Sequence, residues 1–528
     1  MSAPLTPIPP MHWSRWGDPA KAHPLSDQTR DLLAMFVGDI EERPAVELTE
    51  VALPEVALTP ELTDGLRALV GDEFVLLDAE SRIRHTRGKS TPDLLKLRAG
   101  DASDAPDAVV RPSGHDEVAA VVRWCSEHRV ALVPFGGGTS VVGGLAARRD
   151  GLAGVIALDL TRMKRLVAVD TESMTATLEA GLLGPEAEEL LAAHGLTIGH
   201  FPQSFRYASI GGFAMTRSSG QASAGYGRFD SLVVAIKMAT PIGDLDLGSA
   251  PANAAGPDLR ELVMGSEGAF GVATEVTVRV RRAPATTVYE TWRFPDFFAG
   301  AEAMRDLKQA GIAPTVLRLS DEMETMVNLA DPSAVGAHSE GGCLMVTGFE
   351  GTSAEVERSR ALVSAALTER GGTSEGVDES WTDGRYDGPY LRDSLLDLGV
   401  LVETLETATF WSSLKTLYDS VKAALTDALG SAIVLCHISH VYENGASLYF
   451  TVAAKGEPDW ISQWLRAKAA ASDAMIAAGA TITHHHAVGR DHKPWLAREI
   501  GPVGVEILRA VKERLDPTGV MNPGVLVP

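Results

Sequence analysis

Cysteine is scarce: Cys125, Cys343 and Cys436 are the only three in 528 residues, and they lie far apart in the chain. This excludes a disulfide framework and a cysteine-rich zinc site, and points to a reducing compartment. Positive charge is also short, with 47 Lys and Arg against 70 Asp and Glu and a net charge of −23. A nucleic-acid binder would carry a basic stripe or tail, so that class is excluded. No run of about 18 apolar residues marks a transmembrane helix. The first residues, MSAPLTPIPPMHWSRWGDP, lack the apolar stretch of a secretory signal, and the closing GVLVP is not a peroxisomal address. The expectation is a soluble cytoplasmic protein, with room for a local patch that docks on a membrane.

What is present is a globular composition, 45% hydrophobic and 22% charged, with 51 glycines. At roughly 150 residues per domain the length suggests two to four units. Pro60 to Val70 reads as a helix capped by Thr59, with Leu62, Leu66 and Leu69 on one face. Val109-Val110 reads as a strand, and Ser113 with Asp116 as a capping box before the next helix. Val130 to Val133 reads as a strand ended by Pro134. Strands follow at Val155–Leu158, Leu166–Val169, Thr175–Glu179, Leu232–Thr240 and Glu275–Val280, with a helix at Pro185–His194. The mixture has no regular βαβ rhythm, which indicates α+β. After Pro284 helices and polar loops lengthen, and a last helix starts at Val503. The expected division is an N-terminal helical segment 1–100, a first domain 101–284, a second domain 285–480, and a C-terminal segment 481–528 that returns to the first domain.

Three glycine-rich stretches carry the chemistry. Pro134-Phe135-Gly136-Gly137-Gly138-Thr139-Ser140-Val141 lets backbone N–H groups converge on an anion, with two hydroxyls beside them. It is neither a Walker loop nor a dinucleotide fingerprint, because the required Lys and third Gly are absent. The second stretch runs from Gln203-Ser204 through Ser209, Gly211 and Gly212 to Thr216-Arg217-Ser218-Ser219, and suits a flat ring or a phosphate. The third is Gly265-Ser-Glu267-Gly268-Ala-Phe-Gly271-Val272. Tyr449 lies in an alternating strand, Arg318 in the apolar run Val316–Leu319, and Arg392 starts an Arg-Asp pair. His484-His485-His486 would alternate between faces if extended. Imidazole suits zinc or iron, but no acidic or Cys ligand stands at a standard spacing, so no metal is expected.

In order and spacing, PFGGGTSV, IGGFAMTRSSG and GSEGAFGVATEVTVRV resemble the FAD-binding domain of vanillyl-alcohol-oxidase-type flavoproteins. LVVAIKMATPIG, APTVLRL, YLRDSLLDLGVLVETLETATFW and THHHAVGRDHKPWL are similar, within that group, to the alkyldihydroxyacetonephosphate synthase (alkylglycerone-phosphate synthase) family. The resemblance spans about Trp13 to the C-terminus. It implies a two-subdomain FAD-binding domain with an α+β cap. It implies FAD contacts from the three stretches named above. No His or Cys lies from Ala131 to Leu145, and Thr139 stands where relatives often carry a tethering His, so a non-covalent flavin is expected.

The resemblance further implies exchange of the acyl group of acyl-dihydroxyacetone phosphate for a long-chain alcohol, giving an ether through a flavin N5 adduct without net redox. Tyr449 would be the acid/base, assisted by His484, His485, His486 and Arg318. Arg392 would hold the substrate phosphate, with Thr404 in the substrate segment. A homodimer belongs to the same expectation. Departures from the family are Gln203 for an acidic residue, Thr404 for a serine, Ala487 for a glycine and Arg490 for a lysine. The alternative is an FAD-dependent 2-hydroxy-acid dehydrogenase or oxidase, and a third is a metal-dependent or non-catalytic protein built on the histidines.

Overall fold

The computed structural model describes residues 5–22, 25, 30, 38, 41–327, 341–378 and 384–528. A first sheet has the strand order Val75–Leu76, Ala108–Val110, Gly154–Asp159, Val130–Phe135, antiparallel at the first pair and parallel at the other two. The helix His115–His128 makes the crossover and buries Val118, Val121, Val122 and Cys125 under the sheet. Its start differs from the expected box: the Ser113 N–H and hydroxyl donate to Glu117, four residues on, each at 2.7 Å. The strand expected to end before Pro134 runs to Phe135, because it is the edge strand and a missing N–H is tolerated there.

A second, antiparallel sheet follows in the order Leu166–Asp170, Thr175–Glu179, Val272–Arg279, Val233–Thr240, Gly243–Leu247. A third, also antiparallel, has seven strands: Thr373–Val377, Thr286–Phe294, Cys343–Gly351, Val316–Ser320, Ala432–Ile438, Gly445–Lys455 and Val400–Phe410. Four helices cover one face of this sheet: Phe297–Gln309, Ser353–Glu369, Leu414–Leu429 and Trp460–Ala477. Leu317, Leu319, Val434, Cys436, Ile438, Leu448, Phe450 and Val452 point into the core beneath them. The period of two therefore turns Arg318, His437, Tyr449 and Thr451 to the opposite face.

The last helix is Lys493–Leu515, ten residues longer at its start than the pattern from Val503 suggested. Gly501 (φ 73°) and Pro502 break it in the middle, which hid the first half. Beyond it, Leu132 N–H donates to Val520 O and Asn522 N–H to Leu132 O, so the tail lies on the first sheet. Among the described residues of the first hundred, α-helices run over Pro60–Val70, capped by the Thr59 side chain, Ala79–Arg84 and Thr91–Arg98. The expectation for 23–24, 26–29, 31–37 and 39–40 lies outside the described residues. The three cysteines are buried and free. No helix among the described residues is long and apolar enough to cross a membrane.

Candidate active site

A cavity of about 450 Å³ opens between the two smaller sheets and the free face of the seven-stranded one. One wall is backbone. Pro134 to Val141 leaves the strand Val130–Phe135 and passes so close to a neighbouring segment that a Cβ on Gly137 would lie 1.4 Å from Tyr207 O. Ser209 caps the helix Ile210–Met215 by accepting from Gly212 N–H at 3.1 Å, which aims the start of that helix at the cavity. Ser140 Oγ is buried there without a hydrogen-bond partner among the described residues. Burial raises Glu267 to about 8, against the Gly489 and Val488 N–H groups that favour its charge. A neutral acid, an unsatisfied hydroxyl and three glycines that offer backbone without Cβ atoms fit a bound dinucleotide.

Gln203, Ser204, Ser209, Gly211, Gly212, Thr216, Ser218, Ser219, Gly268, Gly271 and Val272 all border the cavity with the loop. Arg217 does not. Its side chain is spent on Asp230 (3.2 Å) and Glu261 (2.8 Å), and its φ of 53° turns the chain.

The opposite wall gathers the remaining candidates. Tyr449 stacks on His437 with ring centres 4.8 Å apart, and lies 6.0 Å from His485 and 5.7 Å from His486. Burial pushes its phenol up to about 12; a hydrogen bond to Thr404 and the charge of Arg392 pull the other way. Arg392, on the helix Gly388–Asp397, donates to Lys89 O at 2.7 Å and to Asp393 Oδ1 at 3.0 Å. Asp393 also accepts the N–H of Trp16, which borders the cavity from the N-terminal segment. Arg318 is bound to Glu324 at 2.5 Å and to His437 Nδ1 at 3.1 Å. Burial opposes ionisation of Glu324, yet His437 and Arg318 hold it at about 2. Past Arg392 the lining turns apolar, with Leu391, Leu395, Val402, Ile433, Leu435 and Ala453.

The three histidines do not form a strand. Glu406, buried beneath them, accepts the N–H groups of His484 (2.6 Å), His485 (3.2 Å) and His486 (3.0 Å) and the Thr483 hydroxyl (2.5 Å). Burial would raise this carboxyl, but the histidines hold it well below the usual range. His485 and His486 reach the cavity, while His484 sits behind it. Burial keeps all three neutral, with His484 at about 4. At neutral pH they therefore place no positive charge beside the phenol.

The residues missed in the sequence are Trp16, His437, His440, Glu403 and Glu406. His440 borders the cavity, with Nδ1 held by Ser219 (3.0 Å) and Ser223 (2.6 Å). The signal was His437-x-x-His440 leading into the tyrosine strand.

Fold and cavity define a class. Residues 106–246 match the FAD binding domain family and residues 283–526 the family of FAD linked oxidases, C-terminal domain, so this is an FAD-binding flavoprotein of that type. The alkyldihydroxyacetonephosphate synthase of Dictyostelium discoideum is 32% identical, over 93% of this chain and 84% of that protein. That of Trypanosoma brucei brucei is 33% identical, over 98% and 89%. A solved structure of an alkyldihydroxyacetonephosphate synthase superposes with a TM-score of 0.85 at 29% identity, covering 98% of this chain and 99% of the other. The chain belongs to the alkyldihydroxyacetonephosphate synthase family.

Proposed function

We propose that the protein exchanges the acyl group of acyl-dihydroxyacetone phosphate for a long-chain alcohol, forming an ether. One observation carries the reading: the cavity bordered by the glycine loop is also bordered by Tyr449, His485, His486, Arg318 and Arg392, and by the apolar set around Leu391. When bound, FAD would supply an electrophilic ring for an exchange without net redox change. Arg392 has the fork that suits a phosphate, and its bonds to Lys89 O and Asp393 fix the direction in which it points. Tyr449 moves the proton beside the ketone. Arg392 is the cation that eases its ionisation, because the histidines are neutral. His485 and His486 take and return the proton of the acid and alcohol oxygens. Arg318 stays paired with Glu324 and keeps His437 flat against the tyrosine ring. The apolar end of the cavity accepts a hydrocarbon chain.

In this reading residues 101–284 hold the flavin, 285–480 form the cap and 481–528 close onto the flavin half. FAD is held without a covalent bond. The homodimer is carried over from the resemblance and the peripheral membrane contact from a local surface patch, with sedimentation and vesicle flotation as their readouts. The test is the substrate tritiated beside its ketone. Release of tritium to water without bleaching of the flavin band supports the transferase. A flavin reduced by a 2-hydroxy acid, with no tritium release, favours the dehydrogenase.

A further inference from the structure

The cavity wall stops at His485, but a file of hydrogen-bonding groups continues behind it. His485 Nδ1 lies 3.0 Å from His484 Nδ1, and His484 Nε2 lies 2.5 Å from the Tyr442 hydroxyl. Tyr442 is half-buried and is followed in the chain by exposed Glu443 and Asn444. Arg228 bonds the same hydroxyl and is itself paired with Asp230 at 2.8 Å. Glu406 lies 3.4 Å from His485 Nδ1. His440 stacks on His484 with ring centres 5.0 Å apart, and His486 packs on His485 at 4.7 Å.

The proposed reaction converts an ester and an alcohol into an ether and a carboxylic acid. The acid ionises at neutral pH, so each turnover leaves one proton in a largely apolar cavity. We propose that His485, His484 and Tyr442 form a relay that carries this proton to solvent. The inference rests on the transferase reading. A proton from the departing acid is taken up at His485 Nε2. His485 passes its Nδ1 proton to His484 Nδ1, His484 passes its Nε2 proton to the Tyr442 oxygen, and Tyr442 releases its own to water. N–H and O–H bonds alone break and form, and no electron moves. Burial keeps His484 near 4, so at neutral pH it is an acceptor. The Glu406 carboxylate steadies the passing imidazolium, and the Arg228 charge discourages a proton from resting on Tyr442. This explains why His484 lies in the histidine run yet off the cavity.

His440, His484 and His485 offer ring nitrogens within 4.8 Å of one another, which could also hold a cation. Contacts of 2.5 and 3.0 Å are hydrogen-bond lengths, and the serines already engage His440 Nδ1, so the relay is favoured.

The test is Tyr442→Phe with His484→Gln as the second variant, since glutamine keeps a polar side chain but passes no proton. Each should keep the flavin spectrum and KM, lose about 10-fold or more in kcat, and regain part of it with added imidazole. Unchanged kcat in both variants overturns the relay. A loss without imidazole rescue makes these residues structural and also overturns it. Stoichiometric zinc in the purified protein, removed together with activity by EDTA, replaces the relay with a metal site. Wild-type protein that forms no ether overturns the transferase reading, and the relay with it.

Discussion

Replacing Gly137 with alanine is the smallest change that should empty the flavin site. The new Cβ would lie 1.4 Å from Tyr207 O, 2.5 Å from Tyr207 C and 3.1 Å from Ala208 Cα, all backbone atoms. Non-bonded atoms rest at about 3.5 Å, so the loop or its neighbour must retreat by about 2 Å. Neither moves freely. Tyr207 and Ala208 N–H both donate to Ser204 O at 2.9 Å, and Pro134 and Phe135 are held in a strand beside Leu158 and Asp159. A cradle displaced by that distance loses most of its contacts to the dinucleotide. The affinity for FAD should fall at least 100-fold, or about 2.7 kcal/mol. Gly136→Ala is the control. Its Cβ meets the rotatable Ser209 hydroxyl at 2.2 Å, so the damage is limited to a helix cap worth roughly 1 kcal/mol. The assay is the ratio of absorbance near 450 nm to that near 280 nm, followed by titration of stripped protein with FAD. Gly137→Ala protein with wild-type affinity, or no worse than Gly136→Ala, would refute the reasoning.

Tyr449→Phe should keep the yellow colour and lower both hydrogen exchange beside the ketone and ether formation by about 10²–10⁴-fold; rates within twofold of wild type remove the tyrosine from the chemistry. Arg392→Lys keeps the charge but loses the fork, so phosphate-substrate affinity should drop roughly 10–100-fold with an unchanged flavin spectrum. An unaltered affinity makes the arginine structural. Burial depresses His12 and His484 to about 4 and His200 and His492 to about 3. The unfolded chain then binds more protons than the native one between pH 6.5 and those values. The contribution of the fully buried His200, His484 and His492 should be full above pH 6.5 and fall as pH drops toward 4, by about 1.4 kcal/mol per pH unit each, and outweigh the opposite slope of Glu267, which is raised to about 8. Urea unfolding at pH 7 and pH 5 measures it, and equal midpoints contradict the burial of these rings.

The fold was legible where local rules decide. Thr59, Pro60 and the leucine spacing give the helix Pro60–Val70 within its own residues. Alternation gives the strand holding Tyr449, with Leu448, Phe450 and Val452 in the core. The glycine stretches were legible because backbone close approach demands glycine wherever it occurs. The last helix was misjudged because Gly501 and Pro502 look like an end and form a kink. In the site, Glu406 escaped notice because it meets the histidines 78 residues further along. Nothing in the spacing of one strand tells that its carboxylate will sit under a loop from elsewhere. Arg217 was assigned to the flavin from its neighbours in sequence, while its partners Asp230 and Glu261 come from two other segments. The neutrality of the histidines is likewise a product of burial.

The central claim is tested most directly by incubating the purified yellow protein with an acyl-dihydroxyacetone phosphate and a radiolabelled long-chain alcohol, without an electron acceptor. The account predicts label in an ether-linked product, one fatty acid released per ether formed, and an oxidised flavin at the end. Fatty acid release without ether, or turnover that requires an acceptor and bleaches the flavin, would contradict it.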